Sequence, residues 1–174
     1  LVAATATNAA ATDALSFAVS AGAAAAAALN TLDGRTSVAV DATMVTEITG
    51  TASAAANAVN DQTTIDTDVA VLITLDAGTA AAADLNTIDQ ATSVAVDATL
   101  VTTITGNVAD VTEAANNQGT IDTAAGVALT VDDGTVTAAQ AETLAGYTTG
   151  VVTATVDADT CLLYTSDAAD EEDS

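Results

Sequence analysis

Ser93-Val94-Ala95-Val96-Asp97-Ala98-Thr99 repeats, residue for residue, the stretch Ser37-Val38-Ala39-Val40-Asp41-Ala42-Thr43. The same shift of 56 residues carries Leu29-Asn30-Thr31-Leu32-Asp33 onto Leu85-Asn86-Thr87-Ile88-Asp89, and Thr64-Ile65-Asp66-Thr67 onto Thr120–Thr123. The turn glycines Gly22, Gly78 and Gly134 keep it too. A register held without a gap from about Leu15 to Leu144 is the signature of a repeat array, and such an array decides the fold.

Each copy contains short Val-rich runs bounded by Asp, Gly or Thr, the pattern of strands. The expected strands are Ser37–Asp41 and Ser93–Asp97, Val71–Leu75 and Val127–Val131, Leu15–Val19, and Val151–Val156. Between them the apolar residues step by three and four. Val101, Ile104, Val108, Val111 and Ala115 match Val45, Ile48, Ala52, Ala55 and Val59, as one helix face or two short helices broken at Gly106 and Gly50. Ala82, Leu85 and Ile88 match Ala26, Leu29 and Leu32, then Ala138, Ala141 and Leu144. Asp41, Thr43, Asp76 and Thr79 stand where N-caps of those helices belong. Strand-helix alternation without tight hairpins calls for parallel strands. The expected fold is therefore α/β: a solenoid of short parallel strands alternating with helices, in about two and a half repeats. Its copies are a partial one at 15–36, then 37–92 and 93–148, with a terminal strand at 150–156. The expected core is Val38, Val40, Ile73, Leu75, Val94, Val96, Leu129 and Val131 from strands, with Ile48, Leu85, Ile88, Ile104 and Val108 from helices.

Composition narrows the function. The chain of 174 residues carries 24 Asp and Glu against a single basic residue, Arg35, for a net charge of -23, with no His and one Cys. Phosphates need Lys and Arg to neutralise them, so nucleic acid is excluded as a partner. Anionic membrane surfaces repel such a chain. Zinc sites, His-based triads and Cys-His dyads lack their parts. Ser16, Ser37 and Ser93 have no base to activate them. Acids that recur in every copy do not form the single asymmetric pair a glycosidase needs. No catalytic or cofactor-binding residue is assigned, and no enzyme is expected. No run is long and bulky enough to span a membrane.

Residues 161–174 differ from the rest and hold the only Cys, Cys161. Cys161 to Glu171 resembles an in-frame translation of a sequencing-library adapter, so this tail is expected to be non-native, exposed and free of contacts. The body, 1–160, reads as an internal fragment of a longer chain. Removing the tail's Asp167, Asp170, Glu171, Glu172 and Asp173 leaves -18, so the acidity belongs to the repeats.

Leu85-Asn86-Thr87-Ile88-Asp89, followed by Ser93 to Ala98 and by Val101-Thr102-Thr103-Ile104-Thr105-Gly106, resembles repeats in very large acidic surface proteins of marine bacteria, notably cyanobacteria. The resemblance spans roughly 15–156. Many such proteins are RTX-associated adhesins or cell-surface layers. The glycine-rich calcium-binding nonapeptide that often accompanies these repeats is absent. The resemblance implies an extracellular or cell-surface structural segment, a spacer or stalk whose partners are neighbouring repeats of the same chain. The alternative is a glycan- or Ca²⁺-binding module.

For Ca²⁺ the residues to weigh are acids. In a parallel stack, Asp41, Asp76, Asp97 and Asp132 at strand exits would form a ladder of like charges about 5 Å apart. A cation column would relieve it; so would helix capping with solvent screening. Asp76, Asp132 and Asp133 are the candidate metal ligands, and Asp132-Asp133-Gly134 is the best single loop. Thr153-Ala154-Thr155 alone has the Thr-x-Thr pattern of an ice-binding strand.

Overall fold

The computed structural model describes residues 13–60 and 62–158. Along them run β1 (Gly22–Ala25), α1 (Ala26–Asp33), β2 (Val40–Ala42), β3 (Val45–Gly50), α2 (Ala52–Asn60), β4 (Ile65–Thr67), β5 (Leu72–Leu75) and β6 (Gly78–Ala81). Then come α3 (Ala82–Ala91), β7 (Val96–Ala98), β8 (Val101–Asn107), α4 (Val108–Asn116), β9 (Ile121–Thr123), β10 (Ala128–Asp133), α5 (Ala138–Tyr147) and β11 (Val152–Thr153). The chain is α/β, and every pairing among these strands is parallel. The expected tail, 161–174, lies outside the described residues.

The strands form three sheets, with orders β1-β3-β5-β7-β9, β11-β10-β8-β6 and β2-β4. Partners sit about one strand-turn-helix passage apart in sequence: Ala24 beside Ile48, Ile48 beside Ile73, Val96 beside Ile121. Passages of two lengths alternate. Val40 to Ile65 spans 25 residues with two strands and a helix, whereas Ile65 to Val96 spans 31 with three strands and a helix. Together they make the 56-residue period. Elements one period apart are of the same kind: β1 with β6, α1 with α3, β3 with β8, α2 with α4, α3 with α5. Because the longer passage holds an extra strand, β5 and β6 are consecutive in the chain yet belong to different sheets.

The structure corrects the helix boundaries. Val101 and Ile104, like Val45 and Ile48, stand on strands β8 and β3 rather than on helices. Their three-residue spacing comes from a β-bulge. Gly78 faces Val101 but Thr79 faces Thr103, so Thr102 is an extra residue; Thr46 is its counterpart in β3. An extra residue resets the inside-outside alternation, so two residues three apart both turn inward. Val101 and Ile104 are buried accordingly. The helices begin only after Gly50 and Gly106, whose φ values of 150° and 154° lie where a side chain is strained. A Cβ on Gly106 would also meet the Ala82 Cβ at 3.4 Å.

The expected strand ends shift as well. Val38 and Val94 precede their strands and are 40% and 37% exposed, so neither belongs to the core. Leu15–Val19 and Val151–Val156 reduce to the Ala18–Asp41 bridge, the two residues of β11 and the Val136–Val156 bridge. Val108 is only partly buried against the core. The remaining expected residues, Val40, Ile48, Ile73, Leu75, Leu85, Ile88, Val96, Ile104, Leu129 and Val131, are all buried.

The expected N-caps are not caps. Asp41 leads into a second strand, not a helix. Its Oδ1 accepts the Thr43 N–H at 3.1 Å and the Thr43 hydroxyl at 2.7 Å, closing the corner between β2 and β3. Asp97 does the same with Thr99 between β7 and β8. Thr79 lies within β6, and Asp76 donates its backbone N–H to the Gly50 carbonyl. The side chains that do cap are Thr51 on α2, Asn107 on α4 and Thr137 on α5, the last in a reciprocal box with Gln140. Helices α1 and α3 start straight out of β1 and β6 with no side-chain cap.

Candidate functional site

Three constructions outside the apolar core carry polar side chains in defined geometry. The first is the strand corner. Asp41 stands beside Asp66, and Asp97 beside Asp122, as direct neighbours on adjacent parallel strands. The expected ladder of Asp41, Asp76, Asp97 and Asp132 is therefore not what forms. Its place is taken by two separate pairs whose second members, Asp66 and Asp122, were not singled out from the sequence. The signal was there: Ile65-Asp66-Thr67 recurs as Ile121-Asp122-Thr123, with the alternation of a short strand. Asp76 is exposed in the β5–β6 turn, and Asp132 and Asp133 are exposed at the end of β10. These three candidate ligands do not share a site with the corner pairs. Among the described residues no three His, Cys, Asp or Glu side chains group as a metal site. A corner pair offers two carboxylates, whereas Ca²⁺ takes six to eight oxygens.

The Thr43 hydroxyl, and then the Thr43 N–H, hold the Asp41 carboxyl below its ordinary value of 3.8, with slight burial opposing. Thr99 acts on Asp97 in the same way. Hydrogen bonds to the ionised form favour it. The corner is thus built to keep its carboxylate charged. Asp84, in the first turn of α3, moves the other way, because burial raises it.

The second construction is a threonine at each junction after the three-strand passage. Thr92 Oγ1 donates to the Val71 carbonyl at 2.7 Å and accepts the Val94 N–H at 3.2 Å. Thr36 repeats this with Leu15 and Val38, and Thr148 with Val127 and Gly150. Each hydroxyl ties a bend to the carbonyl of the strand 21 residues earlier. These threonines keep the 56-residue spacing, which is how the sequence could have revealed them.

The third construction is a cleft between α4 and α5 with a volume of about 520 Å³. Val108, Ala109, Thr112, Glu113 and Asn116 line it from α4, Gln140 and Tyr147 from α5. The Tyr147 hydroxyl donates to Asn116 Oδ1 at 3.0 Å across its mouth. One period earlier, α2 and α3 form the closest helix pair in the chain, whereas α4 and α5 touch least among consecutive helices. The sequence explains the difference. Ala52, Ala56 and Asn57 of α2 become Val108, Thr112 and Glu113 in α4, and Ala91 of α3 becomes Tyr147 in α5. Larger side chains hold the second pair apart.

No helix among the described residues is long and apolar enough to cross a membrane. Comparison with protein-family models, with curated proteins and with solved structures finds no match to this chain.

Proposed function

We propose that the chain is a segment of an α/β solenoid that acts as a stiff, acidic spacer within a large exported bacterial surface protein. The observation that carries this reading is the pairing register. Successive parallel partners lie 23 to 25 residues on, from Ala24 through Ile48, Ile73 and Thr74 to Asp97, then Asp122. Chain that pairs with itself at a constant offset adds length by adding passages, each burying its apolar face against the next. The helices run as neighbours in chain order, α1 on α2, α2 on α3, α3 on α4. A net charge of -23 favours solubility and opposes self-association. The exported, cell-surface setting rests on the resemblance of the repeats to those of acidic marine surface proteins.

The test is to insert one further copy of residues 93–148 after Gly150 and compare the two chains by small-angle scattering. Each copy contributes two strand levels, so the maximum dimension should grow by about 10 Å with the cross-section unchanged. Growth in all directions at once would overturn the spacer reading.

A further inference from the structure

We propose that the cleft between α4 and α5 binds a neutral sugar unit, stacked on Tyr147. This goes beyond the spacer reading and stands independently of it, because it rests on the departure of the last helix pair from the repeat. A period that serves only to stack would keep the small residues of α2 and α3. At α4 and α5 they are replaced by a set that both opens a cavity and lines it.

The lining has the chemistry of sugar recognition. Tyr147 is the only aromatic residue on the five helices and is half-buried, so its ring is fixed while part of it faces solvent. Its hydroxyl is anchored on Asn116 Oδ1. Val108 and Ala109 offer apolar surface for the C–H face of a pyranose. Asn116, Gln140, Thr112 and Glu113 add amide, hydroxyl and carboxylate groups, which pair with sugar hydroxyls. Glu113 itself is shared, since Asn86 Nδ2 lies 3.5 Å from its Oε2. The volume of about 520 Å³ accommodates one or two pyranose rings. Charge excludes anionic ligands: no basic residue lines the cleft, and Glu113 opposes phosphates, sulfates and sugar acids. An organic cation is the competing occupant, but cation recognition uses aromatic rings in a cage, and here there is a single ring.

The experiment is saturation-transfer NMR on the full chain with methyl α-mannoside, methyl β-galactoside and N-acetylglucosamine as probes, and tetramethylammonium as the cationic control. At least one sugar should receive saturation on its ring protons, at millimolar affinity. Tyr147→Ala should weaken that binding by roughly three- to tenfold, as the loss of an aromatic contact implies. Tyr147→Phe should keep most of it. Glu113→Gln should leave a neutral sugar bound and would abolish binding of a cation. Circular dichroism of each variant separates a lost site from a lost fold. The proposal fails if no probe sugar binds, if only tetramethylammonium does, or if a folded Tyr147→Ala chain binds sugar undiminished.

Discussion

Thr92 is hydrogen-bonded to Val71 across the junction that ends the three-strand passage, Oγ1 to carbonyl at 2.7 Å, and Thr36 and Thr148 make the same bond to Leu15 and Val127. One hydroxyl therefore serves as donor to one passage and acceptor for the next. Replacing it with an isosteric methyl leaves the Val71 carbonyl and the Val94 N–H without that partner. Thr92→Val should cost about 1–3 kcal/mol in urea unfolding, and Thr92→Ser should restore most of it. Equal stabilities for the Val and Ser variants would show that the hydroxyl is idle.

Ile104 is fully buried at the centre of β8, between Ala80 and Leu129 on neighbouring strands. Ile104→Ala should cost about 2–4 kcal/mol, the range for emptying an enclosed aliphatic site. Val94→Ala removes a side chain that is 37% exposed and should cost clearly less, within about 1 kcal/mol. The pair of measurements discriminates the strand assignment from one in which Val94 points inward.

Gly106→Ala places a side chain at φ 154° and 3.4 Å from the Ala82 Cβ. The expected cost is about 1–3 kcal/mol, read from the shift in thermal midpoint. Gly119→Ala, where no atom crowds the new methyl and φ is not positive, is the control and should be close to neutral.

Acid should act on Asp97 and Asp84 with opposite sign. Thr99 lowers the Asp97 carboxyl below 3.8 in the folded chain, so its contribution is present above that value and is lost as pH falls through the lower, folded one. The advantage of wild type over Asp97→Asn should thus shrink as pH drops below about 4. Burial raises Asp84, so its ionisation opposes folding: its penalty is absent below 3.8 and sets in as pH rises through the higher, folded value. Asp84→Asn should raise the thermal midpoint near neutral pH and leave it unchanged in acid. A midpoint difference for either variant that does not vary with pH contradicts the assignment.

Much of the architecture was legible because the repeat gave each position two or three readings. Leu85 and Ile88 kept helical spacing in every copy, and α3 is where they place it. Val101 and Ile104 misled for a physical reason: a bulge makes a strand imitate the three-residue step of a helix, and one extra threonine is not visible as such in a sequence. Val38 and Val40 alternate like a strand, but the Thr36 hydroxyl binds the Val38 N–H and bends the chain there, so the strand starts at Val40. The acid corners were half legible. Asp41 and Asp97 stood out by recurrence, yet which acid faces which depends on register, and register follows from the two alternating passage lengths. The α4–α5 cleft could be found only by asking where a copy departs from its predecessor, because every residue in it is individually ordinary.

The β5–β6 turn joins strands of two different sheets through Asp76 and Ala77, and the β7–β8 and β9–β10 turns cross between the same two sheets. The five-stranded and four-stranded sheets are thus laced together by three separate covalent stitches rather than one seam. Cutting any single stitch leaves the others in place, and the helices still hold the passages side by side. A protease that nicks one exposed turn would mark the chain on a denaturing gel without parting it in solution. For a molecule meant to survive outside a cell, that is damage tolerance woven into the path of the backbone.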